Sequence, residues 1–125
     1  MFRIELPLYY TGDIDAALDF YRDKLGGVPT FQFPADGRPE HVELKIGEVV
    51  MGIATRTALM QMPMPEPKHG NPGELVVRCD SVDDALAQLR STGVQVLMEP
   101  IDHVAGHRRA YVADPDGNWV ALIGQ

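Results

Sequence analysis

The chain has 125 residues, 18 of them Asp or Glu and 11 Lys or Arg, for a net charge of -7 and a sequence pI of about 4.9. That balance argues against a nucleic-acid backbone as partner, which would favour a basic surface, while the length suits one domain, residues 1–125, with room for a core. Cys79 is the only cysteine, so no intramolecular disulfide forms and a reducing cytoplasm is the expected setting; neither a leader pattern nor a run of membrane-spanning length is expected.

An acidic surface suits a neutral or cationic small molecule, and it equally serves solubility. Residues 2–11 alternate as a strand, with Leu6, Leu8 and Tyr10 on one side and Glu5, Pro7 and Tyr9 on the other. Pro7 lacks a ladder donor and predicts an edge or an early irregularity there. A helix follows: Ile14, Ala17, Leu18, Tyr21 and Leu25 fall on one face, Asp13 is the N-cap and Gly26 the stop. Residues 28–33 are β-prone, and residues 34–39 form a turn by composition. Residues 41–46 and 49–54 read as a hairpin across Gly47 and Glu48. The first module, residues 1–55, is thus β-α-β-β-β.

Residues 56–72 carry Pro63, Pro65, Pro67 and Pro72 among scattered methionines, and read as an irregular linker. The second module, residues 73–125, repeats the order: strand 74–79, a helix capped by Ser81 and stopped by Gly93, strand 95–98, a loop over 99–103, strand 108–113, a turn at Asp114-Pro115-Asp116-Gly117, and strand 119–123. The helices match at an offset of 68 positions, pairing Ile14 with Val82, Ala17 with Ala85, Leu18 with Leu86 and Arg22 with Arg90. One unit made twice predicts an α+β fold of two βαβββ modules, with helices on one side of the strands.

The paired modules, the string G-D-I-D-A-A-L-D-F-Y-R-D-K-L-G-G and the string D-P-D-G-N-W-V-A-L-I resemble the vicinal oxygen chelate superfamily, which holds glyoxalase I, extradiol dioxygenases and the fosfomycin- and bleomycin-resistance proteins. The resemblance implies an eight-stranded cup-like sheet with helices on its outer face. Metal-using members hold a divalent ion with one His, Gln or Glu from each of four strands. Carried over by the motifs, those positions fall at Leu6, Gly52, Glu74 and Ala121, of which only Glu74 can bind a metal. No metal, no cofactor and no catalytic residue is therefore implied.

Pro7 and the string G-H-R-R-A-Y-V-A-D-P-D-G-N resemble the metal-free bleomycin-resistance branch, which implies a homodimer sequestering an antibiotic or metabolite without turnover. The alternative is a metal-dependent lyase or dioxygenase with a site rearranged around Glu74, His41 and Glu43.

Strand parity, taken from those four positions, assigns the cleft: Leu6, Leu8, Tyr10, His41, Glu43 and Gly52 from the first module, and Glu74, Arg78, Arg109, Tyr111, Trp119 and Ala121 from the second. Aromatic faces and carboxylates are materials for an aromatic or cationic small molecule. Against this stand two plainer roles, Trp119 in a dimer interface and Glu43 and Glu74 paired with Lys45, Arg78 or Arg109. His103 and His107, four apart, would need a helix to converge, and their setting disfavours one.

Overall fold

A computed structural model describes residues 1–125. The chain forms two compact units, Met1–Lys68 and His69–Gln125, dividing within the stretch read as a linker. Each is a βαβββ module, so the fold is α+β with two mixed four-stranded sheets.

The first unit contains β1 (Leu8–Thr11), α1 (Ile14–Leu18), β2 (Val28–Phe33), β3 (His41–Ile46) and β4 (Val49–Thr55), in sheet order β1-β4-β3-β2. β1 runs parallel to β4, and the remaining pairs are antiparallel. β1 is shorter than the alternation over residues 2–11 predicts. Without an amide proton Pro7 offers only its carbonyl, which accepts from Gly52 N at 2.8 Å, and Met1, Phe2 and Ile4 before it are exposed.

Asp13 caps α1, its carboxylate accepting from Ala16 N at 3.1 Å. Beyond Leu18 the helix widens into a π turn over Asp19–Lys24, and Leu25 N donates five residues back to Phe20 O at 2.9 Å. The wider turn buries Phe20 beside Tyr21, their rings edge to face at 4.8 Å, whereas Leu25, expected on the apolar stripe, is only half-buried. α1 packs on β4, closing a core with Val42, Leu44, Met51 and Ile53.

After β4 the chain departs from the irregular linker expected. Thr55 Oγ1 accepts from Ala58 N at 3.1 Å and starts a short helix, α2 (Arg56–Leu59), whose Leu59 is buried. The prolines begin only at Pro63, so nothing prevents one helical turn before them.

The second unit holds β5 (Glu74–Cys79), α3 (Val82–Ser91), β6 (Gln95–Asp102), β7 (Arg108–Ala113) and β8 (Trp119–Gly124), in sheet order β5-β8-β7-β6. β5 is parallel to β8, as β1 is to β4. Ser81 caps α3 through Asp84 N at 3.2 Å. Val82, Leu86 and Leu89 of α3 are buried, as are Val112, Val120 and Leu122 on the strands it packs against.

β6 continues through the predicted loop to Asp102, and β8 gains Gly124. Pro100 is tolerated because the β6–β7 ladder is irregular between Met98 and Ile101, where a missing donor costs no regular bond. Asp114 organises the last turn: its Oδ1 accepts from Asp116 N (2.9 Å) and Asn118 N (2.7 Å), and its Oδ2 from Asn118 Nδ2 (2.8 Å).

Candidate functional site

Each sheet turns one face to its helix and leaves the other open. Val42, Leu44, Met51 and Ile53 lie on the helix side of the first, and Val112, Val120 and Leu122 on that of the second, all buried. Eleven of the twelve positions assigned to the cleft have the opposite parity, five on the first sheet and six on the second, while Leu6 lies before β1 and reaches this face only through its contact above Gly52.

On the first sheet, register puts Phe31, Glu43, Gly52 and Leu8 in one cross-strand row and Phe33, His41, Ala54 and Tyr10 in the next. His41 Nε2 and Glu43 Oε2 stand 2.9 Å apart, and Phe31 meets the His41 ring edge to face at 5.9 Å. Glu43 is thus engaged by His41, not by Lys45 as considered from the sequence. Leu6 and Leu8 close over Gly52: a Cβ built there would lie 3.0 Å from Leu6 Cδ1 and 2.6 Å from Leu8 Cδ1.

On the second sheet the rows are Glu74–Trp119, then Val76–Ala121–Tyr111–Met98, then Arg78–Ile123–Arg109–Ile101. Arg109 Nη1 donates to Tyr111 Oη (3.0 Å) and Arg109 Nε to His107 Nε2 (3.3 Å), while Tyr111 Oη donates on to Glu74 Oε1 (3.2 Å). Glu74 therefore holds a phenol and not an arginine. Leu97, Met98, Tyr111 and Trp119 line an open hollow of about 380 Å³, mostly apolar. Ala121 is fully buried in the middle row and contributes no side chain to bonding.

His103 and His107 do converge, without a helix. The tight β6–β7 turn, closed by His103 N on His107 O at 2.7 Å, stacks their rings 4.9 Å apart and within 13° of parallel. One nitrogen of each ring is engaged, His103 Nδ1 accepting from Ala105 N and His107 Nε2 from Arg109. Burial lowers the His107 pKa, and the charges of Arg109, His103 and Arg78 lower it further, so its imidazole is held neutral. Burial also raises the Cys79 thiol, with Asp80 adding to the effect, the opposite of what an activated nucleophile needs.

The donor set does not suit a divalent ion. Of the positions carried over from metal-using relatives, Leu6 and Gly52 in the first unit offer no donor, and in the second Glu74 does while Ala121 does not. Nowhere do three or more His, Cys, Asp or Glu side chains gather closely enough to hold a metal.

Sequence parity missed Phe31, Phe33, Leu97, Met98 and His107. Phe31 and Phe33 were legible, being two apart on a strand that pairs with His41–Ile46. Leu97 and Met98 were not, because the irregular β6–β7 ladder breaks the alternation that would have placed them.

Residues 3–122 match the Glyoxalase/Bleomycin resistance protein/Dioxygenase superfamily. No curated protein matches the sequence. Among solved structures, a glyoxalase/bleomycin resistance protein/dioxygenase family enzyme from Burkholderia phytofirmans PsJN is similar at 21% identity and TM-score 0.78, with 94% of each chain covered. Lactoylglutathione lyase from Agrobacterium tumefaciens is similar at 24% identity and TM-score 0.71, covering 98% of this chain and 92% of that one. TioX from Micromonospora sp. ML1 gives 18% identity and TM-score 0.72, over 96% and 98%. At these identities the likeness is one of fold.

Proposed function

Because the chain belongs to the glyoxalase/bleomycin resistance protein/dioxygenase superfamily, whose name spans catalysts and drug-binding proteins, we propose that it is of the binding kind: a cytoplasmic homodimer that sequesters an aromatic antibiotic or metabolite without metal and without turnover. One contrast carries the reading. The open face of the second sheet offers an aromatic and apolar hollow, Leu97, Met98, Tyr111 and Trp119, while the superfamily's metal-ligand positions there and on the first sheet retain a single donor, Glu74.

Flat rings gain by stacking on Tyr and Trp, and an apolar wall rewards burial at about 25 cal/mol per Å². Phe31, Phe33 and Trp119 are about half-exposed at 51%, 58% and 44%, aromatic surface of the kind that a ligand or a second copy covers. Trp119 is the only tryptophan, so its fluorescence reports on the hollow. Titration with aromatic antibiotics should change that emission equally before and after treatment with a chelator. Stoichiometric metal in the purified protein, lost together with a measurable lyase or dioxygenase activity on chelation, would establish a catalyst instead.

A further inference from the structure

The second sheet keeps two cations on its open face that the rest of the chain would be expected to neutralise. Acidic residues outnumber basic ones, and Arg22, Arg38, Arg90 and Arg108 are each bound to a carboxylate. Arg108 shows the contrast best: it points away from the hollow and bonds Asp83 and Asp102, both at 3.0 Å. Arg109, the next residue, points the other way and meets only neutral acceptors, the Tyr111 phenol and the His107 imidazole. Two of its five N–H groups are used and three remain. Arg78 lies in the same cross-strand row, across Ile123, and forms no ion pair. Two strand spacings, about 10 Å, separate the two arginines, a gap their long side chains can close around one anion.

Tyr111 joins this pair to the hollow. Its ring lines the apolar wall, its hydroxyl is fixed between Arg109 and Glu74, and the Arg109 guanidinium carbon lies 5.9 Å from the ring centre. An occupant stacked on Tyr111 and Trp119 therefore meets a guanidinium at one edge, with the fork that suits a carboxylate.

We propose that the ligand of this face is an aromatic carboxylate, its ring in the hollow of Leu97, Met98, Tyr111 and Trp119 and its carboxylate on Arg109, with Arg78 as the second cation. This rests on the small-molecule reading above and reverses the sign of charge expected from the acidic composition: the ligand is an anion, not a cation. The Glu74 carboxylate on this face is taken up by the Tyr111 hydroxyl at 3.2 Å, and His107, accepting from Arg109 at Nε2, leaves its Nδ1 as a further donor.

Three probes sharing one ring test it: 1-naphthoate, 1-naphthamide and 1-naphthylmethylammonium, each titrated against the single Trp119 indole N–H signal by NMR. Naphthoate should bind at least tenfold more tightly than the amide, and the ammonium compound more weakly still. Arg109→Gln should remove the preference for naphthoate over the amide, Arg109→Lys should retain part of it, and Arg78→Gln should lose a smaller part. Backbone amide signals of α3 and β8 that keep their wild-type positions show in the same spectra that each variant is folded. Equal binding of all three probes, or a preference for the ammonium compound, would overturn the anion assignment and leave the binding reading standing. No response of Trp119 to any probe would overturn both.

Discussion

Leu8 occupies the space that a side chain at Gly52 would need, its Cδ1 lying 2.6 Å from where a Cβ would be. The obstacle is the tip of a flexible side chain, so Gly52→Ala should fold and cost about 1–2 kcal/mol. Leu8→Ala should relieve most of that cost, and a double-mutant cycle by denaturant unfolding should show coupling well beyond the ~0.5 kcal/mol scatter of independent sites. Simple additivity would mean that Leu8 does not fill the position.

At Gly124 the obstacle is main chain. A Cβ there would stand 2.0 Å from Cys79 O across the parallel β5–β8 pair. A carbonyl held in a ladder cannot step aside, so Gly124→Ala should cost about 3 kcal/mol or more. Cys79→Ala should give no relief, since the clash does not involve the sulfur; thermal melts of the three variants decide it.

Asp114 is 5% exposed and accepts three hydrogen bonds within its own turn. Asp114→Ala strands those donors and should lower stability by about 3 kcal/mol, roughly 10 °C in Tm for a chain of this size. Asp114→Asn keeps the acceptor for Asp116 N and Asn118 N but sets two amide NH2 groups against each other, and should fall between the alanine variant and the wild type.

For His107 burial comes first and the nearby cations second, and both lower its pKa. The unfolded chain therefore takes up a proton that the folded one refuses. Above the ordinary histidine range the residue adds no pH dependence; as pH falls through that range toward the lower folded value, stability is lost. His107→Gln should flatten this slope in denaturant melts between pH 7.5 and 5. By NMR the His107 midpoint should lie below that of a free histidine, and Arg109→Gln should move it upward.

Period-two alternation and helix caps made the strand order and both helix starts readable, because each half buries one face and a slip of one residue would turn it outward. Asp13 and Ser81 cap as their side chains predict. What could not be read lies where local chemistry overrides pattern: Pro7 trimming β1, Thr55 starting a helix in an apparent linker, and the β6 irregularity that brings Leu97 and Met98 into the hollow. Partner choice was equally hidden. Nothing in the residue order says that Glu74 bonds Tyr111, or that Arg108 finds carboxylates while Arg109 does not.

The π turn over Asp19–Lys24 also records how the two copies have drifted apart in length. Thirteen positions separate the cap Asp13 from the stop Gly26, but only twelve separate Ser81 from Gly93. The surplus residue of the first copy falls after the matched Arg22–Arg90 pair, where the π turn closes with Leu25 N on Phe20 O, and is taken up as extra girth in the coil. The one-residue difference between the copies is thus accommodated inside the helix, and each module keeps the same strand order around it.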